Sequence, residues 1–256
     1  MKCKILIVLL FFVFIQSCSK DDVVENSENN VIKISNNQKT LGTSSNDILS
    51  ADTFTKIIIE IAYVEGFKPT QTAINNFTSF IEARTFKPDG IIVETIAIPS
   101  PGQDQYSIDD IIKIEDDNRI YYNTSDTIAI WVYFSDGESI DNSNTSVVLG
   151  KAYRNTSFVI FEDTIQDFSD SIFEPNRNVL ETTIMAHEFG HILGLVNLGA
   201  PLQSNHEDTE NPKHCDVSSC LMYFSTEIRN ISSQTGGTIP QLDSLCIADL
   251  QANGGK

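Results

Sequence analysis

The sequence is poor in basic residues, cysteine, tryptophan and histidine, and each shortage excludes something. Only 17 Lys and Arg stand against 35 Asp and Glu, a formal net charge of -18 over 256 residues. A phosphate-binding surface needs clustered cations, so nucleic acid is excluded as a partner. An anionic membrane surface would repel the chain as well. Five cysteines are too few for a scaffold held together by disulfides. No apolar run reaches the about 20 residues that a membrane-spanning helix needs. No internal repeat is visible. The four histidines, His187, His191, His206 and His214, all fall in one short stretch, and the rest of the chain has none. Histidine is the commonest metal ligand, so the cluster points to a metal site.

The N-terminus reads as an address. Lys2 and Lys4 precede an unbroken apolar run over residues 5–15, too short to span a bilayer but suited to the core of an export signal. The run ends Ile15-Gln16-Ser17-Cys18. This resembles a bacterial lipobox, which implies that residues 1–17 are removed and that Cys18 becomes a lipid-modified N-terminus. Residues 19–50 hold six Ser, six Asn and no aromatic residue. Such a composition buries too little apolar surface to offset the entropy of ordering, so residues 18–50 read as a disordered tether. Its start, Ser19-Lys20-Asp21-Asp22, resembles signals that route lipoproteins of Bacteroidetes-type bacteria to the cell surface. The expectation is an exported chain, anchored to the outer membrane or cell surface through its lipid alone.

Residues 51–256 carry the folded domain. Residues 55–65 (TKIIIEIAYVE) are β-branched and apolar, a central strand. Ala73, Ile74, Phe77, Phe80 and Ile81 recur at helical spacing. Residues 91–99 form a second strand, and Ser107 with Asp110 resembles a capping box for a short helix. Residues 127–134 (TIAIWVYF) read as a deeply buried strand, and residues 147–153 and 157–162 as two more. Asn178 then caps a long helix starting at Val179. Strands alternating with helices predict an α/β fold with a mostly parallel sheet.

The long helix contains His187-Glu188-Phe189-Gly190-His191, an HExxH motif. Residues four apart share a helix face, so both imidazoles can reach one ion. Zinc accepts neutral imidazole and keeps a position open for water in catalytic sites. Glu188, beside it, suits a general base that takes the proton of that water.

Gly194 extends the motif to HExxHxxG, and His214-Cys215 with Cys220 and Met222 forms HCxxxxCxM. The first segment resembles the metzincin zinc peptidases and the second the archaemetzincins among them. More narrowly, the chain resembles zinc-dependent metalloprotease lipoproteins of Bacteroidetes-type bacteria. The resemblance implies a zincin fold: a twisted, mostly parallel five-stranded sheet with an antiparallel edge strand, the active-site helix, and a small C-terminal lobe. The lobes would be 51–194 and 195–256. Gly194 would turn the chain back towards the metal, and Met222 would lie beneath it. The metzincin pattern puts its third ligand where this chain has Asn197, a poor zinc donor. The archaemetzincin segment makes His214 the third ligand, with His206 as the alternative. One catalytic zinc is expected. Tyr223 offers either a hydrogen bond to the transition state or packing beneath the site. Residues 147–153 would be the edge strand that receives an extended peptide.

Archaemetzincins also carry a later CxxC that helps hold a second zinc. Here Cys246 stands alone, so a cysteine–zinc site is not expected; for an exported chain a Cys215–Cys220 disulfide is expected instead, with a bridge from Cys246 to Cys215 or Cys220 as the alternative. The activity implied is that of a monomeric zinc endopeptidase acting on peptides or proteins. The alternative is a non-catalytic, surface-anchored binding protein that keeps the fold and its zinc.

Overall fold

The computed structural model describes residues 34–144, 146–172, 174–226 and 238–256. The export signal, Cys18 and most of the expected tether lie outside these residues. In chain order the elements are α1 (Ser45–Leu49), β1 (Lys56–Val64), α2 (Gln71–Glu82), β2 (Ile91–Ile98), β3 (Gln105–Tyr106), α3 (Ile108–Asn118), β4 (Thr127–Phe134), β5 (Glu138–Ser139), β6 (Gly150–Arg154), β7 (Ser157–Ile160), α4 (Glu162–Asp167), α5 (Arg177–Ile192) and α6 (Ser244–Ala252). A 3-10 turn spans Phe224–Thr226.

Five strands form one sheet in the order β2-β1-β4-β7-β6. The first four run parallel, and β6 alone is antiparallel, pairing with β7 at the edge. This is the mixed α/β architecture expected from the alternating pattern. From Ile128 on, β4 is apolar without interruption, because both faces of the sheet are covered. Ile128, Ile130, Val132 and Phe134 belong to the core shared with α2 and α5, while Trp131 and Tyr133 belong to the one shared with α3. Helix α2 packs against α5 through Phe77 and Phe189, whose rings meet edge to face at 5.4 Å. Helix α5 is buried all round from Leu180 to Ile192, as a helix covered on every side must be.

Two local expectations shift. The cap of α5 is Asn176, whose side chain accepts from the Asn178 amide, two residues earlier than expected. The Glu181 carboxylate is engaged elsewhere, accepting from the Thr70 amide and hydroxyl and from Arg177. The larger correction concerns residues 34–50, which are part of the domain and not tether. Asn37 is fully buried and donates to the Asn123 side chain, the Ala129 carbonyl and the Thr156 hydroxyl. Ile48 and Leu49 of α1 are buried in the main core. The composition argument failed because polar side chains here are tied into long-range hydrogen bonds. That satisfies the backbone without a large apolar count.

Candidate metal centre

Helix α5 delivers His187 and His191 one turn apart on one face, with ring centroids 4.8 Å apart. His214 arrives from the segment that follows α5. Its ring stacks on His187 at 5.4 Å and meets His191 edge-on at 5.2 Å. One donor nitrogen from each histidine lies within 4.8 Å of the other two. Two of the rings are oriented by carbonyls, which can only accept. His187 Nδ1 sits 2.7 Å from the Leu221 oxygen, and His214 Nδ1 is 3.2 Å from that of Pro212. Nδ1 therefore carries the proton, and the lone pair of each is on Nε2, as a ligand requires. Three converging imidazole lone pairs fit a zinc ion that keeps a fourth position open.

The chain reaches His214 by a tight reversal after α5. Gly194 has φ +77°, and a Cβ there would lie 2.6 Å from the Ala200 nitrogen. Val196 and Asn197 follow with φ 50° and 67°, left-handed backbone that costs a non-glycine residue of order 1 kcal/mol or more. Asn197 points outward and donates to Glu207 at 3.2 Å, so it takes no part in the trio. Residues 206–208 then run beside 214–216. The Asp208 amide donates to the His214 carbonyl, the Asp216 amide to that of His206, and Glu207 bridges Cys215 in antiparallel fashion.

Two further contacts were not foreseen. Gly190, inside the HExxH motif, is glycine because Met222 lies against it: a Cβ would sit 2.3 Å from the Met222 sulfur. The Met222 carbonyl accepts from the Cys215 amide at 2.8 Å, so the same turn braces the segment that carries His214. Gly150, at the start of β6, makes room for the motif's acid. Its Cβ would meet Glu188 Cγ at 2.8 Å and Ile184 Cγ2 at 2.7 Å. Glu188 is 1% exposed, and its Oε2 accepts from the Ala152 amide of β6 at 2.7 Å. A glycine heading an edge strand was the only signal available for this role.

The trio opens onto a cavity of about 240 Å³ lined by Glu188, His191, His214, the β6 residues Gly150 to Ala152, and the apolar side chains of Leu41, Val148 and Leu198. Leu41 comes from the segment expected to be tether. Tyr223 does not line this cavity. Its ring packs on Phe224 at 4.8 Å, so packing is the role its surroundings support.

No protein-family model and no curated protein matches the sequence. Among solved structures, the archaemetzincin of Methanopyrus kandleri superposes with a TM-score of 0.50 at 16% identity, over 78% of this chain and 96% of that one. The fold is archaemetzincin-like. At that identity the likeness extends to the fold alone. The likeness is that of the mostly parallel sheet with its antiparallel edge strand.

His206, the alternative third ligand, lies elsewhere. It is buried, with Nε2 2.8 Å from Asp249 Oδ2 and Nδ1 3.4 Å from Cys215 Sγ. The cysteines also depart from expectation. Cys215, Cys220 and Cys246 are buried free thiols and not a Cys215–Cys220 bridge. Helix α6 brings a third sulfur to the same point, with Cys246 Sγ 3.7 Å from Cys220 Sγ. Their donor atoms and one oxygen of Asp243 all lie within 4.8 Å of one another. Hydrogen bonds from the other two push the Cys215 thiol down to about 4, and the Cys220 and Cys246 thiols move up in return. Sulfur donors so gathered suit a soft or borderline metal ion. The fit that the missing CxxC had argued against is therefore met by other residues.

One buried acidic pair stands behind the site. Glu162 of α4 and Glu181 of α5 share Arg177, at 2.7 and 2.9 Å. Burial, followed by the neighbouring Glu181 charge, pushes Glu162 up to about 9.

Proposed function

We propose that the chain is a zinc-dependent endopeptidase. The observation that carries this reading is the position of Glu188: a buried carboxylate next to three converging imidazoles, held by the backbone of an edge strand. A protein that only bound zinc, or only bound a partner, has no need of a base there.

His187, His191 and His214 would hold the ion. Zinc supplies Lewis acidity there, polarising a carbonyl and easing deprotonation of water. The residues of the chain do the rest. The outer edge of β6, antiparallel and unpaired in the sheet, would align an extended substrate by strand addition. Leu41, Val148 and Leu198 would cover apolar parts of the substrate and exclude water. Glu188 would accept the proton of the attacking water on its carboxylate and pass it to the departing amine, with the Ala152 amide fixing its orientation. The N-terminal lipid on Cys18 would place a monomeric enzyme at the outer membrane or cell surface, with peptides or proteins as substrates.

The test is Glu188→Ala. The variant is expected to bind zinc as the parent does while losing chelator-sensitive cleavage of a denatured protein substrate. Undiminished cleavage by the variant would refute the mechanism.

A further inference from the structure

The cavity beside the trio carries charge of the sign opposite to the chain's. Over the whole sequence acidic residues outnumber basic ones, 35 to 17, a balance that by itself draws cationic ligands. Among the described residues that line the cavity, Glu188 is the only acid, while Lys151 and Lys213 are both basic. Glu188 is buried and held by the Ala152 amide. The two lysines therefore supply the exposed charge of the lining. Acids elsewhere on the surface count for little here, since at physiological salt charges separated by more than about 8 Å are largely screened.

Lys213 is placed at a cost. It immediately precedes His214, and its φ is 71°, in the left-handed region that glycine enters freely and other residues only with strain. Its own amide fixes that turn by donating to Glu207 Oε1 at 2.9 Å, and Glu207 Oε2 accepts from Asn197. The turn alone calls for glycine. The lysine adds an ammonium group that has no ion-pair partner among the described residues. Lys151 comes from β6, between Gly150 and Ala152, which line the same cavity. It pairs with Asp141 at 2.9 Å, but the two side chains are 43% and 53% exposed. Such a pair contributes little, and a ligand carboxylate can replace it. The other side chains of the lining, the histidines and Glu188 apart, are apolar. A ligand seated here meets hydrocarbon and two ammonium groups.

We propose that Lys151 and Lys213 set the specificity of the site, selecting peptides in which an acidic residue adjoins the apolar one seated in the cavity. This rests on the endopeptidase reading, since it names the substrate class of that same site. The apolar side chain fills the space between Leu41, Val148 and Leu198, and the neighbouring carboxylate pairs with the lysines. Peptides with a basic residue at that position are disfavoured, in spite of the chain's net charge.

The experiment uses the zinc-loaded full chain and three fluorescent peptides, each with a single leucine flanked on both sides by Glu, by Gln or by Lys in an otherwise identical small-residue carrier. Cleavage is read as kcat/KM. Binding is read separately, by anisotropy on Glu188→Ala, which is expected not to turn the peptides over. The Glu peptide should be favoured over the Gln peptide by roughly five- to tenfold, the sum of two exposed charge pairs, with the Lys peptide last; high salt should shrink the ratio. Lys151→Gln and Lys213→Gln should each lower it by about two- to fivefold, and the double variant should bring it near one. Lys213→Arg should keep the preference. Lys213→Gly should lose it while raising the unfolding midpoint, because the strained turn is relieved, and this separates selectivity from folding. Equal handling of the Glu and Gln peptides in both assays, or a ratio unchanged in the double variant, would overturn the proposal. Acidic preference in binding with no cleavage by the parent would refute the endopeptidase reading and leave the role of the lysines standing. Binding of none of the peptides would overturn both.

Discussion

Gly150→Ala is the sharpest probe of how the edge strand positions Glu188. The added methyl would lie 2.7 Å from Ile184 Cγ2, 2.8 Å from Glu188 Cγ and 3.0 Å from Glu188 Oε1, where ordinary contact begins at 3.4 Å. Ile184 is fully buried in the main core, so its Cγ2 can yield only by repacking its neighbours. Either Glu188 retreats by roughly 0.6 Å, or β6 moves off the helix. Overpacking of this kind costs about 1–3 kcal/mol, which denaturant unfolding would register. The two responses separate kinetically. If Glu188 retreats, its 2.7 Å bond to the Ala152 amide is lost. On the proposed mechanism, a general base misplaced by a fraction of an ångström then costs about tenfold or more in kcat, by the scale on which 1 Å costs about a hundredfold. If β6 moves instead, substrate alignment suffers and KM rises. In both cases the trio's capacity to bind a metal ion is expected to be kept, because none of its histidines has moved. A Gly150→Ala variant with parental stability, kcat and KM would refute the reasoning.

Other outcomes follow from the same structure. Asn37→Ala should cost about 2–3 kcal/mol, since it strands buried partners at Asn123, Ala129 and Thr156; a change within error in urea unfolding would mean that residues 34–50 are dispensable. Ile48→Ala in α1 should cost about 2–5 kcal/mol by the same measurement. Glu162→Gln tests the acidic pair through pH. The folded-state value of about 9 exceeds the ordinary 4.5, so below 4.5 both states hold the proton and nothing is lost. Between 4.5 and 9 the unfolded chain releases it first, and the parent loses stability as pH rises, by at most about 1.4 kcal/mol per pH unit. The glutamine variant should escape that loss, so its advantage over the parent should grow from pH 5 to 9; a constant difference would contradict the assignment.

The placement of Leu41 brings the segment before β1 to the candidate site. It forms one wall of the cavity above Glu188. The turn beside it is locked, because a Cβ on Gly42 would fall 1.5 Å from the Leu198 carbonyl oxygen. Two chain segments far apart in sequence therefore shape the same wall, and neither carries a motif.

What the sequence determined by itself is what depends on neighbours along the chain. The strand at 127–134 is an unbroken apolar run, and its burial on both faces follows from that pattern. His187, Glu188 and His191 share a helix turn, so their juxtaposition needs only 3.6-residue periodicity. Gly194 marked a reversal through the HExxHxxG resemblance, and its φ of +77° bears that out. Tertiary structure decided everything that rests on contacts between distant segments. Whether His206 or His214 joins the trio depends on how residues 206–208 pair with 214–216 after the turn, and no local pattern encodes that register. The gathering of Cys246 with Cys215 and Cys220 depends on where α6 docks. The inclusion of residues 34–50 depends on Asn37 finding partners more than 80 residues away. Composition weighs how much apolar surface a segment can bury. It cannot weigh hydrogen bonds whose other half lies in another part of the fold.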